Sequence, residues 1–194
     1  MPDKAQCAAA IFAGGTSHRM GRNKALLPWR GKTLLAYLAG ELDDFPEKLL
    51  SADGLALPAE DWAQVSDLMP GCGPLGALQS VLTRMRSEMV LCVACDLPFF
   101  TRELAQQMCA AFRPEADCLV CRDETGHVHP VCAIYRKKML PLVCAQIRSG
   151  KYRMMDLLAR AQQQTFQVSS SQMLNANTPE IWKRACGICD GTEH

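Results

Sequence analysis

The sequence lacks a strong net charge, a long apolar run and a linker between domains. Its 194 residues carry a formal net charge of +1, so no strong field favours nucleic acid or an anionic membrane as a partner. No apolar run is long enough to cross a membrane, and residues 1–6 show no secretion signal. We therefore predict one cytoplasmic domain over residues 1–194, with a loose tail at about residues 187–194.

Cysteine, in contrast, is abundant. The chain has 11 cysteines, an odd number, and without an export signal they are interpreted as reduced, mostly buried thiols. Three CxxC pairs resemble metal-binding motifs: Cys92/Cys95, Cys118/Cys121 and Cys186/Cys189. The first two pairs fall on predicted strands, where residues three apart face opposite sides and cannot chelate one ion. The third pair could share a helical turn, but zinc would need two further ligands.

Buried apolar runs alternate with amphipathic segments along the chain. Strands are predicted at residues 8–13, 48–52, 64–67, 89–94, 117–122, 128–135 and 165–168. Helices are predicted at residues 33–42, 75–86, 101–112, 137–148, 154–162 and 178–185, with Thr33 and Thr101 as N-caps. This alternation predicts a three-layer α/β/α sandwich with a Rossmann-like, mainly parallel sheet. Ligands of such sheets bind beyond the carboxyl ends of the strands.

The first predicted strand runs into a loop rich in glycine and cations. The stretch IFAGGTSHRMGRNK, residues 11–24, contains Gly14 and Gly15, then Arg19, Arg22 and Lys24. Backbone N–H groups of such a loop form an anion-binding concavity. The glycine spacing fits neither the P-loop nor the dinucleotide-binding fingerprint. The loop predicts a nucleotide-phosphate site of another kind, and the alternative is a glycine-rich turn with solvated charges.

Asp96 follows the predicted strand 89–94, and Pro98 restricts the chain just after it. A carboxylate in this position, together with water and phosphate oxygens, is a common way to hold Mg²⁺. An Asp that caps the turn before Thr101 would give the same pattern. Both interpretations stay open on local features alone.

Several motifs, in the same order, resemble those of the molybdenum cofactor guanylyltransferases. They are FAGGTSHRMGRNKALL from residue 12, SDLMPGCGPLGALQS from residue 66, CDLPFF from residue 95, HVHPVCAIYRKKMLPLV from residue 127 and MLNANTPEIW from residue 173. The resemblance covers nearly the whole chain and implies the nucleotide-diphospho-sugar transferase fold. The sequence departs from the family at Phe12, where leucine is usual, and at Asn23, where an acid is common.

The resemblance implies a reaction and a set of roles. A phosphate of molybdopterin would attack the α-phosphorus of GTP, and pyrophosphate would leave. Arg19 and the amides near Gly14 would hold the phosphates, Lys24 would offset charge near the α-phosphate, and Asp96 would bind Mg²⁺. The further binding residues that the resemblance implies are Phe12, Ala13, Gly15, Asp53, Asp67, Gly76, Asn175 and Asn177.

Asp67 is the residue expected to read the base. Guanine presents N1–H and N2–H₂ side by side, which match two carboxylate oxygens, whereas cytosine presents one donor next to acceptors. An Asx turn that holds the loop is the alternative role for Asp67. Transfer from CTP, a sugar-phosphate nucleotidyltransferase, and a non-catalytic nucleotide-binding or thiol redox protein are the alternative functions.

Two further segments have open roles. His129 begins a strand that the family places near its pterin pocket, and a lone histidine there is also compatible with a structural role. A basic loop surrounds Gly150, with Arg148, Lys151 and Arg153, and it either attracts an anionic phosphate or is simply solvated. Transient contacts with molybdenum cofactor biosynthesis or chaperone proteins are a family-level expectation.

Overall fold

A seven-stranded sheet forms the centre of the computed structural model, which describes residues 7–14, 24–52, 55–56, 58–175 and 178–189. The strands are β1 (Cys7–Phe12), β2 (Pro28–Trp29), β3 (Lys32–Thr33), β4 (Glu47–Ser51), β5 (Trp62–Val65), β6 (Met89–Ala94), β7 (Cys118–Asp123), β8 (Val128–Arg136) and β9 (Gln163–Val168). The sheet order is β5-β4-β1-β6-β8-β7-β9. Only β8 runs antiparallel to its neighbours in this sheet, whereas the other neighbouring pairs are parallel.

Helices cover both faces of the sheet. They are α1 (Leu34–Glu41), α2 (Gly73–Arg84), α3 (Arg102–Ala111), α4 (Leu140–Arg148), α5 (Met154–Leu158) and α6 (Pro179–Cys189), with short 3-10 turns at Lys24–Leu26 and Lys137–Met139. Side chains of α1, α3 and α6 belong to one buried cluster, and those of α2, α4 and α5 belong to another. Along β1, alternate residues enter the two clusters, as the period of two in a strand requires. The predicted three-layer sandwich is therefore confirmed.

The predicted helix starts follow from local capping. The Thr33 hydroxyl accepts the N–H of Ala36 at 3.2 Å, and the Thr101 hydroxyl accepts the N–H of Leu104 at 3.3 Å. Each bond satisfies an N–H group that the first helical turn leaves without a partner. Both predicted caps are confirmed.

Two sequence-based predictions need correction, and one element was missed. Helix α5 ends at Leu158 rather than at residue 162, because Gln162 exchanges hydrogen bonds with Asp117 and so leads into β9. Helix α6 extends through Cys189, so residues 187–189 are helical rather than part of a loose tail. The hairpin of β2 and β3 was not predicted, although its turn carries Gly31 at a φ of 75°, a conformation typical of tight hairpins. No helix in the described ranges has the length and apolarity to span a membrane.

Candidate active site

A cleft of about 740 Å³ opens beyond the carboxyl ends of the parallel strands. It lies where the sequence analysis expected the ligand, since the ends of β1, β4 and β6 all contribute to it. The lining residues are Phe12, Ala13, Gly14, Lys24, Ser51, Ala52, Asp67, Gly71, Gly73, Pro74, Ala77, Ala94, Cys95, Asp96, Val131 and Asn175.

The beginning of the glycine-rich loop is fixed to β4. The N–H groups of Ala13 and Gly14 both donate to the carbonyl of Ser51, at 2.9 and 3.1 Å. These two amides would have to leave Ser51 before they could hold a phosphate, so their predicted contact with phosphate stays a prediction. Gly15, Arg19 and Asn23 lie outside the described residues.

Lys24 and Asp96 meet in the cleft although 72 positions separate them in the sequence. The Lys24 Nζ atom lies 3.4 Å from Asp96 Oδ2, and the two side chains are only 17% and 16% exposed. The N–H of Cys95 donates to the carbonyl of Phe12 at 3.0 Å. This bond holds the end of β6 beside β1, and so it places Asp96 near the end of β1.

Two buried oxygens of the cleft have no hydrogen-bond partner within the described residues. They are Oδ1 of Asp96 and Oδ1 of Asn175. A buried acceptor without a partner costs about 1–3 kcal/mol, so such an atom is expected to meet a ligand. Divalent cations such as Mg²⁺ and Mn²⁺ bind carboxylate and amide oxygens. The donor set therefore fits a hard divalent cation.

Asp67 lies across the cleft in the loop that follows β5, where it is half-buried. The loop is fixed to α2, because the N–H of Leu68 donates to the Ser80 hydroxyl at 2.9 Å, and that hydroxyl donates to the carbonyl of Gly76. Gly76 itself is absent from the cleft lining. A Cβ at Gly76 would lie 3.0 Å from the Met69 carbonyl oxygen, so this glycine allows the loop to pack closely on the helix.

Asp53 and Asn177, the other predicted binding residues, lie outside the described residues. The predicted residues that the structure does bring together therefore come from four separate segments: the end of β1 with Lys24, the Asp67 loop, the end of β6, and Asn175 before α6.

Residues 9–165 match the family model described as the MobA-like NTP transferase domain. This chain belongs to the MobA-like NTP transferase family. A Flavobacterium johnsoniae protein named "Probable molybdenum cofactor guanylyltransferase" is 31% identical over 166 residues, which cover 84% of this chain and 85% of that protein.

Solved structures of similar proteins support the fold of this MobA-like chain. The molybdopterin-guanine dinucleotide biosynthesis protein A of Archaeoglobus fulgidus superposes with a TM-score of 0.81 at 21% identity, over 95% of this chain and 99% of that one. A Mycobacterium tuberculosis protein solved as a complex with manganese gives a TM-score of 0.61 at 20% identity, over 92% of this chain and 96% of that one. At these identities the likeness shows the shared fold alone.

Some lining residues of this MobA-like site were missed by the sequence analysis. Ser51, Cys95 and Val131 lie on or next to strands that were predicted, and their positions at strand ends could have indicated them. Burial raises the pKa of the Cys95 thiol to about 12, and the negative charge of Asp96 adds to the effect. Cys95 is therefore a protonated, apolar part of the lining rather than a nucleophile.

The two strand CxxC pairs behave as their spacing predicts. Cys92 and Cys118 pack in the cluster on the α2 side of the sheet, whereas Cys95 and Cys121 pack in the cluster on the α1 side. Each pair is therefore separated by the sheet. Burial raises the pKa of Cys118 to about 12 and the pKa of Cys92 further still, so these thiols are core groups. Cys186 shares α6 with Cys189.

Proposed function

We propose that this protein transfers GMP from GTP to the phosphate of molybdopterin and releases pyrophosphate. The observation that carries the proposal is the Lys24–Asp96 pair, which lies in the cleft beside two buried oxygens without a partner within the described residues. Family membership supports nucleotidyl transfer as the reaction. The 31% identity to a protein named as a probable molybdenum cofactor guanylyltransferase supports the choice of acceptor and base.

In the proposed reaction, an oxygen of the acceptor phosphate forms a bond to the α-phosphorus of GTP. The bond between that phosphorus and the bridging oxygen of the β-phosphate breaks, and pyrophosphate leaves. The acceptor phosphate supplies the nucleophile, so no side chain of the protein has to form a covalent intermediate. The protein then has to align the two phosphates and neutralise their charge.

Asp96 and Asn175 are the residues we assign to a divalent cation, with Mg²⁺ as the proposed ion. When bound, this ion supplies neutralisation of the phosphate charge that donor and acceptor bring together. Lys24 approaches Asp96 Oδ2 to 3.4 Å, so its ammonium group would lie beside phosphates bound at this ion. We assign Lys24 to the charge that develops at the α-phosphate in the transition state.

Asp67 is the residue we assign to the guanine base. It lines the cleft on the side of β5, and its loop is held to α2 through Ser80. A carboxylate at this place accepts two hydrogen bonds from the guanine edge but repels the acceptor atoms of cytosine.

A cytoplasmic location and transient contacts with cofactor-handling proteins stay predictions.

A competition experiment tests the proposal directly. The protein is incubated with molybdopterin, Mg²⁺ and equal concentrations of GTP and CTP, and the dinucleotide products are identified by mass spectrometry. We expect the guanine dinucleotide and pyrophosphate as the dominant products. A dominant cytosine dinucleotide would replace the proposal by cytidylyl transfer, and no dinucleotide with either nucleotide would refute it.

A further inference from the structure

Four aromatic side chains pack together on the α1 side of the sheet, and Trp29 of β2 contacts the other three. Its ring centroid lies 5.3 Å from that of Phe99 and 5.3 Å from that of Trp182. The centroid of Tyr37 lies 6.4 Å away. The Trp29 ring meets Phe99 at 90° and Tyr37 at 74°, the edge-to-face arrangement that aromatic rings favour. We call these four residues the aromatic cluster.

The hairpin of β2 and β3, which brings Trp29 to the aromatic cluster, begins just after Lys24. The 3-10 turn at Lys24–Leu26 closes with a bond from the N–H of Leu27 to the carbonyl of Lys24 at 3.1 Å, and β2 begins at the next residue. Trp29 is 2% exposed and is the largest buried side chain of this segment. Its packing therefore helps to fix the position of the turn that carries Lys24.

Two members of the aromatic cluster hold the segment after Asp96. Phe99 lies three positions after Asp96 and packs edge-to-face against Trp29. The Tyr37 hydroxyl donates to the carbonyl of the next residue, Phe100, at 3.3 Å. Because Tyr37 belongs to α1, the chain that leads from Asp96 to α3 is attached both to the hairpin and to α1.

Helix α6, which follows Asn175, is attached to the same ring. Trp182 is buried in the first turns of α6, and its ring is tilted by 54° against that of Trp29. The start of the helix is fixed by Thr178, whose hydroxyl accepts the N–H of Ile181 at 3.3 Å and whose carbonyl accepts the N–H of Trp182 at 2.9 Å. Asn175 therefore enters the cleft from a segment that lies close to a helix end held by Trp29.

The size of the Trp29 ring, and not its polar group, accounts for its place in the fold. Its Nε1–H group is buried and has no hydrogen-bond partner within the described residues, which is unfavourable for folding. A smaller apolar side chain would avoid this unsatisfied donor, but it would not reach Phe99, Trp182 and Tyr37 at once. The Arg30 guanidinium lies over the rings of Trp29 and Tyr37, 5.8 and 5.4 Å from their centroids.

We propose that Trp29 is a positioning residue for nucleotidyl transfer, because one ring holds together the three segments that bring Lys24, Asp96 and Asn175 to the cleft. This inference rests on the proposed function for the roles of those three residues, but not on the identity of the nucleotide or the acceptor. Trp29 is not among the residues that line the cleft, so it acts through these segments. A misplacement of about 1 Å at reacting groups can lower a rate by roughly a hundredfold.

The chain offers a matched control, because Trp62 is also 2% exposed and belongs to the same buried cluster as Trp29. Trp62 begins β5, so it lies at the amino end of the parallel strands, whereas the cleft lies beyond their carboxyl ends. The variants are Trp29→Phe and Trp29→Leu, with Trp62→Phe and Trp62→Leu as their controls. Trp29→Phe is expected to fold, because it keeps an aromatic ring and removes an unsatisfied donor.

The kinetic measurements are kcat, the KM for the nucleotide and the Mg²⁺ concentration that gives half-maximal rate, all taken well below the unfolding temperature of each variant. We expect Trp29→Leu to lower kcat by about tenfold or more, since three site residues lose their common support. The half-maximal Mg²⁺ concentration should rise as well, whereas the KM for the nucleotide should change less. Trp29→Phe should show the same changes to a smaller extent. Trp62→Leu should lose stability but keep kcat and the Mg²⁺ dependence.

Two readouts do not depend on turnover. Calorimetric titration with Mn²⁺ should show weaker binding to Trp29→Leu than to Trp62→Leu, by about threefold or more. The chain has three tryptophans, so the emission of Trp62→Phe comes from Trp29 and Trp182 alone. Addition of Mg²⁺ to Trp62→Phe with GTP, without acceptor, should change this emission. The double variant Trp29→Phe/Trp182→Phe keeps only Trp62 and should show no change.

Equal kcat and equal Mg²⁺ dependence in Trp29→Leu and Trp62→Leu would overturn the inference and leave the aromatic cluster a part of the core. A raised KM for the nucleotide with unchanged kcat in Trp29→Leu would also overturn it. If Trp29→Leu does not fold, the comparison of Trp29→Phe with Trp62→Phe decides. If the wild type makes no dinucleotide, the proposed function fails, and the Mn²⁺ titrations decide in place of the rates. Equal Mn²⁺ affinities, or no Mn²⁺ binding by the wild type, would then refute the inference.

Discussion

Asp96 and Asp123 lie at the carboxyl ends of two strands in the same sheet, separated only by β8, yet their carboxylates have opposite surroundings. Asp123 accepts hydrogen bonds from Thr125, His127 and His129. Asp96 has Lys24 beside Oδ2, while its buried Oδ1 has no partner within the described residues. A satisfied carboxylate fixes the protein around it, whereas an unsatisfied one is available to a ligand.

The difference in hydrogen bonding between the two carboxylates affects the free energy of folding. A buried acceptor without a partner costs about 1–3 kcal/mol, and the fold carries such atoms at Asp96 and Asn175 in the same cleft. Structures keep costs of this kind mainly at functional sites. The comparison therefore predicts that substitution of Asp96 affects activity more than stability, and that substitution of Asp123 does the reverse.

The largest effect is expected for Asp96→Asn. The substitution keeps the size of the side chain but removes the charge that we propose holds the divalent cation, so Mg²⁺-dependent turnover should fall by at least about a hundredfold. The unfolding temperature in metal-free buffer should change little, because loss of the ion pair with Lys24 is offset by removal of a largely buried negative charge. Rates of dinucleotide formation and thermal unfolding curves provide both measurements.

Glu60→Gln is the control for loss of one negative charge. Glu60 is exposed and lies just before the amino end of β5, whereas the cleft lies beyond the carboxyl ends of the strands. It should retain wild-type activity and stability. Near-normal turnover of Asp96→Asn would remove the metal assignment, and a large loss of stability would show that Asp96 belongs with Asp123 as a structural group.

Lys24→Ala should have the next largest effect. If Lys24 stabilises charge in the transition state, kcat should fall by roughly a hundredfold, the scale for one lost preorganised contact, with a smaller change in the KM for GTP. Lys32→Ala, at an exposed lysine of the hairpin, is the control and should behave as wild type. A raised KM with unchanged kcat would instead show that Lys24 only binds substrate.

The centre of the fold was predictable from the sequence because β1 and β6 are continuous apolar runs and because α1 and α3 begin at threonine caps. The strand 89–94 and the caps Thr33 and Thr101 agree with the structure. The hairpin at β2 and β3 was missed because each strand has only two residues, too few to show a period. Helix α5 was predicted too long because the pairing of Gln162 with Asp117 is a tertiary contact.

The lining of the cleft was predictable where residue type and strand position coincide, as for Asp96 and Asp67. It was not predictable where backbone hydrogen bonds or a strand bulge determine which polar groups are available. The carbonyl of Ser51 occupies the amides of Ala13 and Gly14, and no side-chain pattern indicates this. The bond between Asp123 and His129 also depends on a bulge in β8, which the alternation of strand residues does not reveal.

Asp67→Ala should have an intermediate effect that appears in specificity. Loss of two hydrogen bonds between a carboxylate and guanine should reduce the preference for GTP over CTP by at least about tenfold, mainly through lower GTP activity. Asp67→Asn should narrow the preference as well, because its amide group can donate to the acceptor atoms of cytosine. Competition between the two nucleotides measures the ratio, and an unchanged ratio in Asp67→Ala would mean that Asp67 only holds its loop.

The smallest effect is expected for Asp123→Asn, and it should appear in stability at acid pH. The Thr125 hydroxyl and His129 hold the pKa of Asp123 below its usual range, so the folded state favours the ionised carboxylate. This contribution is fully present above the pKa of an unfolded aspartate, about 3.9, and is lost as the pH falls through the lower pKa of the folded state.

Asp123→Asn lacks the contribution, so it should be less stable than wild type at neutral pH. The difference in urea midpoint should shrink as the pH is lowered from about 5 to about 2, a range below the usual titration of histidine. A difference that stays constant over this range would show that Asp123 stabilises the turn through its shape and not through its charge.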